Sequence, residues 1–179
     1  KIFMYNSANQ YRINKVKSLN ANLFLTTPKK AFNDVQNASK QEGYYYIQPF
    51  EGKYTIQGTA TLGYEILKQT NDIDNIIISV GGGGLIAGVG SIVKQKYPNC
   101  KIFGVEPEES NGMTQSLLKK EPLKNVNINS IADSLSPPLH LPYSFSICQN
   151  VIDEMICVSD NELIKTMKFM FENYKFVLE

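Results

Sequence analysis

Asn75-Ile76-Ile77-Ile78-Ser79-Val80-Gly81-Gly82-Gly83-Gly84-Leu85-Ile86-Ala87-Gly88 sets an apolar run against four consecutive glycines and then a second apolar run. Residues 75–80 read as a buried strand, and Leu85 to Tyr97 reads as a helix with Lys94 and Lys96 at its C-terminal end. Glycine loses more backbone entropy on folding than any other residue, so a run of four implies a tight turn, positive φ or close approach to a ligand. Successive peptide N–H groups ahead of a helix N-terminus make a concave site for an anion, and a phosphate suits it. In an open parallel sheet, ligands settle at the carboxyl ends of the strands, where this loop lies. The alternative reading is a purely structural turn.

The N-terminal side alternates. Lys1 to Tyr5 reads as a strand, Tyr11 to Leu19 as a helix, Asn22 to Thr26 as a strand and Pro28 to Gln41 as a helix stopped at Gly43. Tyr44-Tyr45-Tyr46-Ile47 is expected to be a third strand, which makes this a parallel sheet with crossover helices. Pro49 to Thr55 reads as a loop and a change of domain, dividing the chain into residues 1–50 and 51–179. Downstream, Thr59 to Gln69 is helical, Lys101 to Glu106 is a strand, helices fall near Met113 to Lys119 and Tyr143 to Asn150, and a strand lies around Met155 to Val158. Ser159-Asp160-Asn161-Glu162 fits a capping box, and Leu163, Met167, Met170, Phe171 and Tyr174 form a stripe expected to enter the core. The fold class is α/β, with open, mostly parallel sheets and helices on both faces.

The composition narrows the function. The 179 residues carry 18 Lys+Arg against 17 Asp+Glu, a net charge of +1 and 42% hydrophobic residues. That balance suits a soluble globular protein and offers no basic surface for nucleic acid or membranes. No apolar run approaches the roughly 20 residues that span a bilayer, so the expected compartment is the cytoplasm. Cys100, Cys148 and Cys157 are scattered and odd in number, which favours reduced thiols over disulfides. His140 is the one histidine; standing alone, it reads as a loop or core residue.

The glycine loop does not match every phosphate motif. A nucleotide P-loop closes with Gly-Lys-Ser/Thr, whereas Gly84 is followed by Leu85-Ile86. Gly82-Gly83-Gly84-Leu85-Ile86-Ala87 does satisfy G-x-G-x-x-A, and Glu106 ends the next strand where a ribose-binding acid would sit, so a nicotinamide dehydrogenase domain stays open at this point.

The whole run from Ser79 to Gly88, followed by Gly104-Val105-Glu106-Pro107-Glu108, resembles the threonine/serine dehydratase branch of the fold-type II pyridoxal-phosphate enzymes, which also contains serine racemases. Tyr46-Ile47-Gln48-Pro49-Phe50, Gln57-Gly58-Thr59, Ile131-Ala132-Asp133 and Lys175-Phe176-Val177-Leu178-Glu179 extend the likeness in the same order across the chain. The resemblance implies pyridoxal 5'-phosphate as cofactor, with its phosphate held by Gly81, Gly82, Gly83, Gly84 and the N–H of Leu85. It places Phe50 along the cofactor and Ser134 near the pyridoxal ring. It further implies a small amino-acid substrate, a β-elimination yielding a 2-oxo acid and ammonia, and a homo-oligomer.

Glu106 matches an acid that, in racemase-like members, binds a cation with an acidic residue six positions on. Here that residue is Gly112, and no metal site is assigned. The family's Schiff-base lysine, in Ser-x-Lys-x-Arg-Gly-Ala, and its Ser-Gly-Asn-His loop do not occur in these residues. The chain accordingly reads as an internal fragment, inactive alone, with no catalytic residue of its own. A racemase-like isomerase or a catalytically inactive relative are the remaining alternatives.

Overall fold

The computed structural model describes residues 1–178, so Glu179, the last residue of the Lys175–Glu179 motif, lies outside the described residues. The chain forms two compact units, Lys1–Ile47 and Gln48–Glu179.

The first unit contains β1 (Ile2–Tyr5), α1 (Gln10–Ser18), β2 (Leu23–Thr26) and α2 (Pro28–Glu42). β1 and β2 pair in parallel from Ile2↔Leu23 to Tyr5↔Thr26, as the strand-helix-strand order requires. Asn9 caps α1 by accepting from the N–H of Tyr11. The expected strand at Tyr44–Ile47 does not form: these residues join no ladder, Tyr45 and Ile47 are 71% and 75% exposed, and the Tyr44 carbonyl accepts a hydrogen bond from Ser39 Oγ. A β-favouring composition makes a strand only where a neighbouring edge takes up its backbone groups.

The second unit is built around a three-stranded parallel sheet in the order β3 (Asn75–Ser79), β4 (Lys101–Pro107), β5 (Glu154–Val158). Its helices are α3 (Lys53–Gln69), α4 (Gly84–Lys96), α5 (Gly112–Lys119), α6 (Pro142–Val151) and α7 (Asp160–Tyr174), with short 3₁₀ turns at Glu108–Ser110 and Asp133–Leu135. The register runs from Asn75↔Lys101 to Ser79↔Val105 and from Phe103↔Glu154 to Pro107↔Val158. The strands and α4 lie where the sequence places them, but α3 begins at Lys53, inside the stretch read as a loop. Gly52 takes a φ of 92° as its N-cap, so the helix starts inside the expected loop, while the two units divide between Ile47 and Gln48, three residues before the expected boundary.

The core is formed by Ile56 and Leu67 of α3, Ile78 and Val80, Ile86, Val89 and Val93 of α4, Ile102 of β4, Met113 of α5, and Phe145, Cys148 and Val151 of α6. α3 and α4 cross so closely at Gly88 that a Cβ there would stand 2.2 Å from Thr59 Oγ1 and 2.6 Å from the Ala60 nitrogen. At the foot of the sheet Asp153 accepts from Lys94 Nζ at 2.7 Å, Lys101 Nζ at 3.1 Å and the Ile102 N–H at 2.9 Å. These donors hold its carboxyl down at about 2 against partial desolvation.

α7 corrects a second expectation. Its capping box is present, with Ser159 Oγ accepting from the Glu162 N–H and the Glu162 carboxylate accepting from the Ser159 N–H. Its apolar stripe is not core, because no α7 residue is buried and Phe171 and Tyr174 are 57% and 58% exposed. Amphipathic spacing records which face of a helix can be covered, not what covers it.

Replacing Gly88 with alanine drives a methyl group into the backbone of α3, and is expected to cost about 1–3 kcal/mol. Thermal unfolding of the purified variant checks this; an unchanged midpoint contradicts the close crossing.

Candidate functional site

β3 delivers the chain to the glycine loop at its carboxyl end, and the loop runs directly into α4. The ladder ends with the Val80 N–H donating to the Val105 carbonyl at 2.7 Å, and intrahelical bonding resumes with Ala87 N–H to Gly83 O at 2.9 Å. Between these points, from Gly81 to Ile86, no peptide N–H has an acceptor among the described residues. Gly82, Gly83, Gly84 and Ile86 are buried, and buried N–H groups without a protein acceptor are taken up by ordered water or a ligand. The α4 macrodipole adds positive potential at the same place. This arrangement suits an anion.

The glycines are required by what surrounds them. Gly83 has a φ of 90°, and a Cβ there would meet Met113 Cε at 2.7 Å and Cys148 Sγ at 2.9 Å. A Cβ at Gly82 would meet the Phe50 ring at 2.1 Å, so Phe50 lies directly against the loop. The Leu135 backbone stands 3.2 Å from the equivalent point at Gly81, which brings the turn containing Ser134 to the loop's other end. Ser134 is itself exposed, and its hydroxyl donates to Asp133 Oδ1 at 3.3 Å. The structure therefore gathers Gly81–Leu85, Phe50 and the Ser134 turn around one loop.

Other contacts were not visible in the spacing. Thr59 Oγ1 donates to the Gly84 carbonyl at 2.8 Å, tying the Gln57-Gly58-Thr59 motif to the loop. Ser144 and Cys148 of α6 direct their side chains at the Gly82 and Gly83 carbonyls, at 3.4 and 3.5 Å. Burial pushes the Cys148 thiol up to about 12, so it packs as a small apolar group and not as a nucleophile.

Glu106 is only 2% exposed, and both carboxylate oxygens are engaged: Oε2 accepts from the Met113 N–H at 3.0 Å and Oε1 from the Thr114 N–H at 2.7 Å. It caps the N-terminus of α5. Desolvation raises its pKa, while the Thr114 hydroxyl and the two amides oppose that rise. A carboxylate held in this way is not poised for a ribose hydroxyl. Among the described residues no cluster of three or more His, Cys, Asp or Glu side chains could hold a metal.

His140 packs where Gly112 leaves room, with Nε2 2.5 Å from the position a Cβ would take. It is 3% exposed, and neither ring nitrogen has a partner among the described residues. Burial lowers its pKa from 6.5 to about 4.

A search of family models matches residues 1–179 to the pyridoxal-phosphate dependent enzymes. A phenylserine dehydratase from Ralstonia pickettii is 37% identical over 180 residues, covering 100% of this chain and 55% of that enzyme. The processed form of threonine deaminase isoform 2 from Solanum lycopersicum superposes with a TM-score of 0.91 at 36% identity, over 99% of this chain and 52% of that one. A serine racemase from Dictyostelium discoideum gives a TM-score of 0.88 at 28% identity, over 100% and 58%. The chain thus spans about half the length of these relatives. The open parallel sheet with its glycine loop is the fold of the fold-type II enzymes.

His140 has a consequence for stability. The unfolded chain takes up its proton near 6.5 and the folded chain only near 4, so folding is strongest above pH 6.5 and loses about 3 kcal/mol as pH falls toward 4. Glu106, raised by burial, changes stability in the opposite sense, so the contribution of His140 is read as the difference between wild type and His140→Leu in chemical denaturation across this window. Parallel profiles for the two proteins contradict it.

Proposed function

The chain belongs to the pyridoxal-phosphate-dependent enzyme family, and we propose that the full-length protein is a threonine/serine dehydratase-type ammonia-lyase in which these residues cradle the cofactor phosphate. The observation that carries this reading is the row of N–H groups from Gly81 to Ile86 at the head of α4, which have no acceptor among the described residues and of which Gly82, Gly83, Gly84 and Ile86 belong to buried residues. The names of the relatives supply the reaction class: a dehydratase of phenylserine and a deaminase of threonine both act on β-hydroxy amino acids.

Gly81, Gly82, Gly83, Gly84 and the N–H of Leu85 would hold the phosphate through charge-assisted hydrogen bonds. Phe50 would line the cofactor from the Gly82 side, with the Ser134 turn nearer the ring. When bound, the cofactor draws electron density from the substrate's α-carbon and makes its proton acidic. This chain's part is to fix the phosphate, so that ring and substrate keep one orientation. The substrate loses its α-proton and its β-hydroxyl, released as water; hydrolysis of the imine that results gives a 2-oxo acid and ammonia. The lysine that takes the α-proton would come from outside these residues, and the chain alone would be inactive.

Racemisation is the second reading, supported by the serine racemase likeness. It shares the cradle and differs in returning a proton to the opposite face of the α-carbon. A small amino acid is the substrate class in either case. A cytoplasmic homo-oligomer is part of the same proposal; the free cysteines, with Cys100 and Cys148 buried, agree with a reducing compartment. Among the described residues no helix is long and apolar enough to cross a membrane.

The test uses the full-length protein purified with pyridoxal phosphate and supplied with L-threonine, L-serine or phenylserine. The expected result is 2-oxo acid and ammonia in equal amounts, with borohydride reduction adding one pyridoxyl mass to a lysine outside residues 1–179. D-serine as the main product from L-serine selects the racemase reading, and a complete chain with no adduct and no turnover selects the inactive relative.

A further inference from the structure

We propose that Glu51 is a positioning residue of the glycine loop: by holding the first turn of α6, its carboxylate fixes the side chains that face the Gly82 and Gly83 carbonyls and so sets the direction of the N–H row. The inference rests on the reading of that loop as the phosphate site.

α6 starts without a cap of its own. Leu141 precedes it, Pro142 opens it, and no side chain at the N-cap accepts from its first turn. The N–H groups of Tyr143 and Ser144 are instead taken by Glu51, whose Oε1 and Oε2 accept them at 2.9 Å each across 92 and 93 residues of sequence. A carboxylate bound by two amides at a helix N-terminus fixes both the position and the rotation of the helix. The face so fixed carries Ser144 and Cys148, whose Oγ and Sγ approach Gly82 O at 3.4 Å and Gly83 O at 3.5 Å, the Ser144 hydroxyl being shared with the Leu141 carbonyl at 3.3 Å. A peptide group is planar and trans, so a carbonyl held on one side aims the following N–H to the other. Holding Gly82 O aims the N–H of Gly83, and holding Gly83 O aims the N–H of Gly84.

Glu51 is itself held in place. Phe50, next in the chain, lies on Gly82 with its ring and on Gly84 with its backbone, whose carbonyl stands 3.0 Å from the Gly84 Cβ position. The Phe50 N–H donates to Gln48 Oε1 at 2.7 Å, Thr55 Oγ1 donates to the Gln48 carbonyl at 2.8 Å, and Gly52 begins α3 directly afterwards. Residues 50 and 51 therefore act on the loop together, Phe50 by direct contact and Glu51 through α6.

The experiment titrates the full-length apoprotein with pyridoxal phosphate and with pyridoxal, which has the same ring without the phosphate. Glu51→Gln, in which one accepting oxygen becomes a donor, is expected to weaken pyridoxal phosphate binding by about tenfold or more. Pyridoxal binding is expected to stay within about twofold, since the effect acts on the phosphate alone. Glu51→Asp should recover part of the loss, and Ser144→Ala, which keeps the amide but removes the hydroxyl, should show a smaller loss with the same selectivity. Equal weakening of both ligands marks a merely structural residue and overturns the proposal, as does no weakening of either. Should Glu51→Gln fail to fold, Glu51→Asp and Ser144→Ala decide by the same criterion. Wild type binding both ligands equally would refute the phosphate reading of the loop; amide exchange at residues 81–86 then judges Glu51 alone, faster exchange in the variant supporting it and unchanged exchange overturning it.

Discussion

The peptide N–H groups from Gly81 to Ile86 have to be left without protein acceptors and yet be held still, and much of the second unit serves that constraint. Unpaired buried amides are unfavourable, so the loop has no intrinsic reason to keep its shape. Its surroundings supply the reason. Thr59 of α3 holds the Gly84 carbonyl, Ser144 and Cys148 of α6 face the two carbonyls before it, and Met113 of α5 fills the space beside Gly83. Carbonyls are fixed on one side so that amides stay free on the other.

The supporting helices are secured by carboxylates. Glu106 caps α5 and Glu51 caps α6, each with two backbone amides, while Asp153 gathers two lysines and the Ile102 amide at the opposite end of the sheet. Each acid compensates N–H groups that a helix or strand terminus leaves over. Glu106, whose place in the sequence matches a ribose-binding acid or a cation ligand, serves the fold by capping α5, and Glu51, which no motif singles out, caps the helix whose side chains face the loop.

Much of the strand and helix order was legible because apolar runs and glycine stops are local signals. The glycine loop was legible for a stronger reason, since four glycines at a strand-to-helix junction have few physical uses. Three features were not. Gly52 read as part of a loop because a glycine in sequence marks a loop and a helix N-cap alike, and only its φ of 92° at the head of α3 tells them apart. Tyr44 to Ile47 has strand composition without a ladder, and the α7 stripe has core composition without burial. Both depend on neighbours that local composition does not specify. The buttress formed by Glu51, Ser144 and Cys148 depends on contacts between residues more than 60 positions apart, beyond the reach of any period or motif.

The central claim is that this loop receives the phosphate of the cofactor. A crystal structure of the full-length protein with pyridoxal phosphate bound tests it most directly. Phosphate oxygens are expected within hydrogen-bonding distance of the N–H groups between Gly81 and Leu85, with Phe50 against the same loop. A phosphate bound elsewhere, with those amides facing water or another part of the chain, would contradict it.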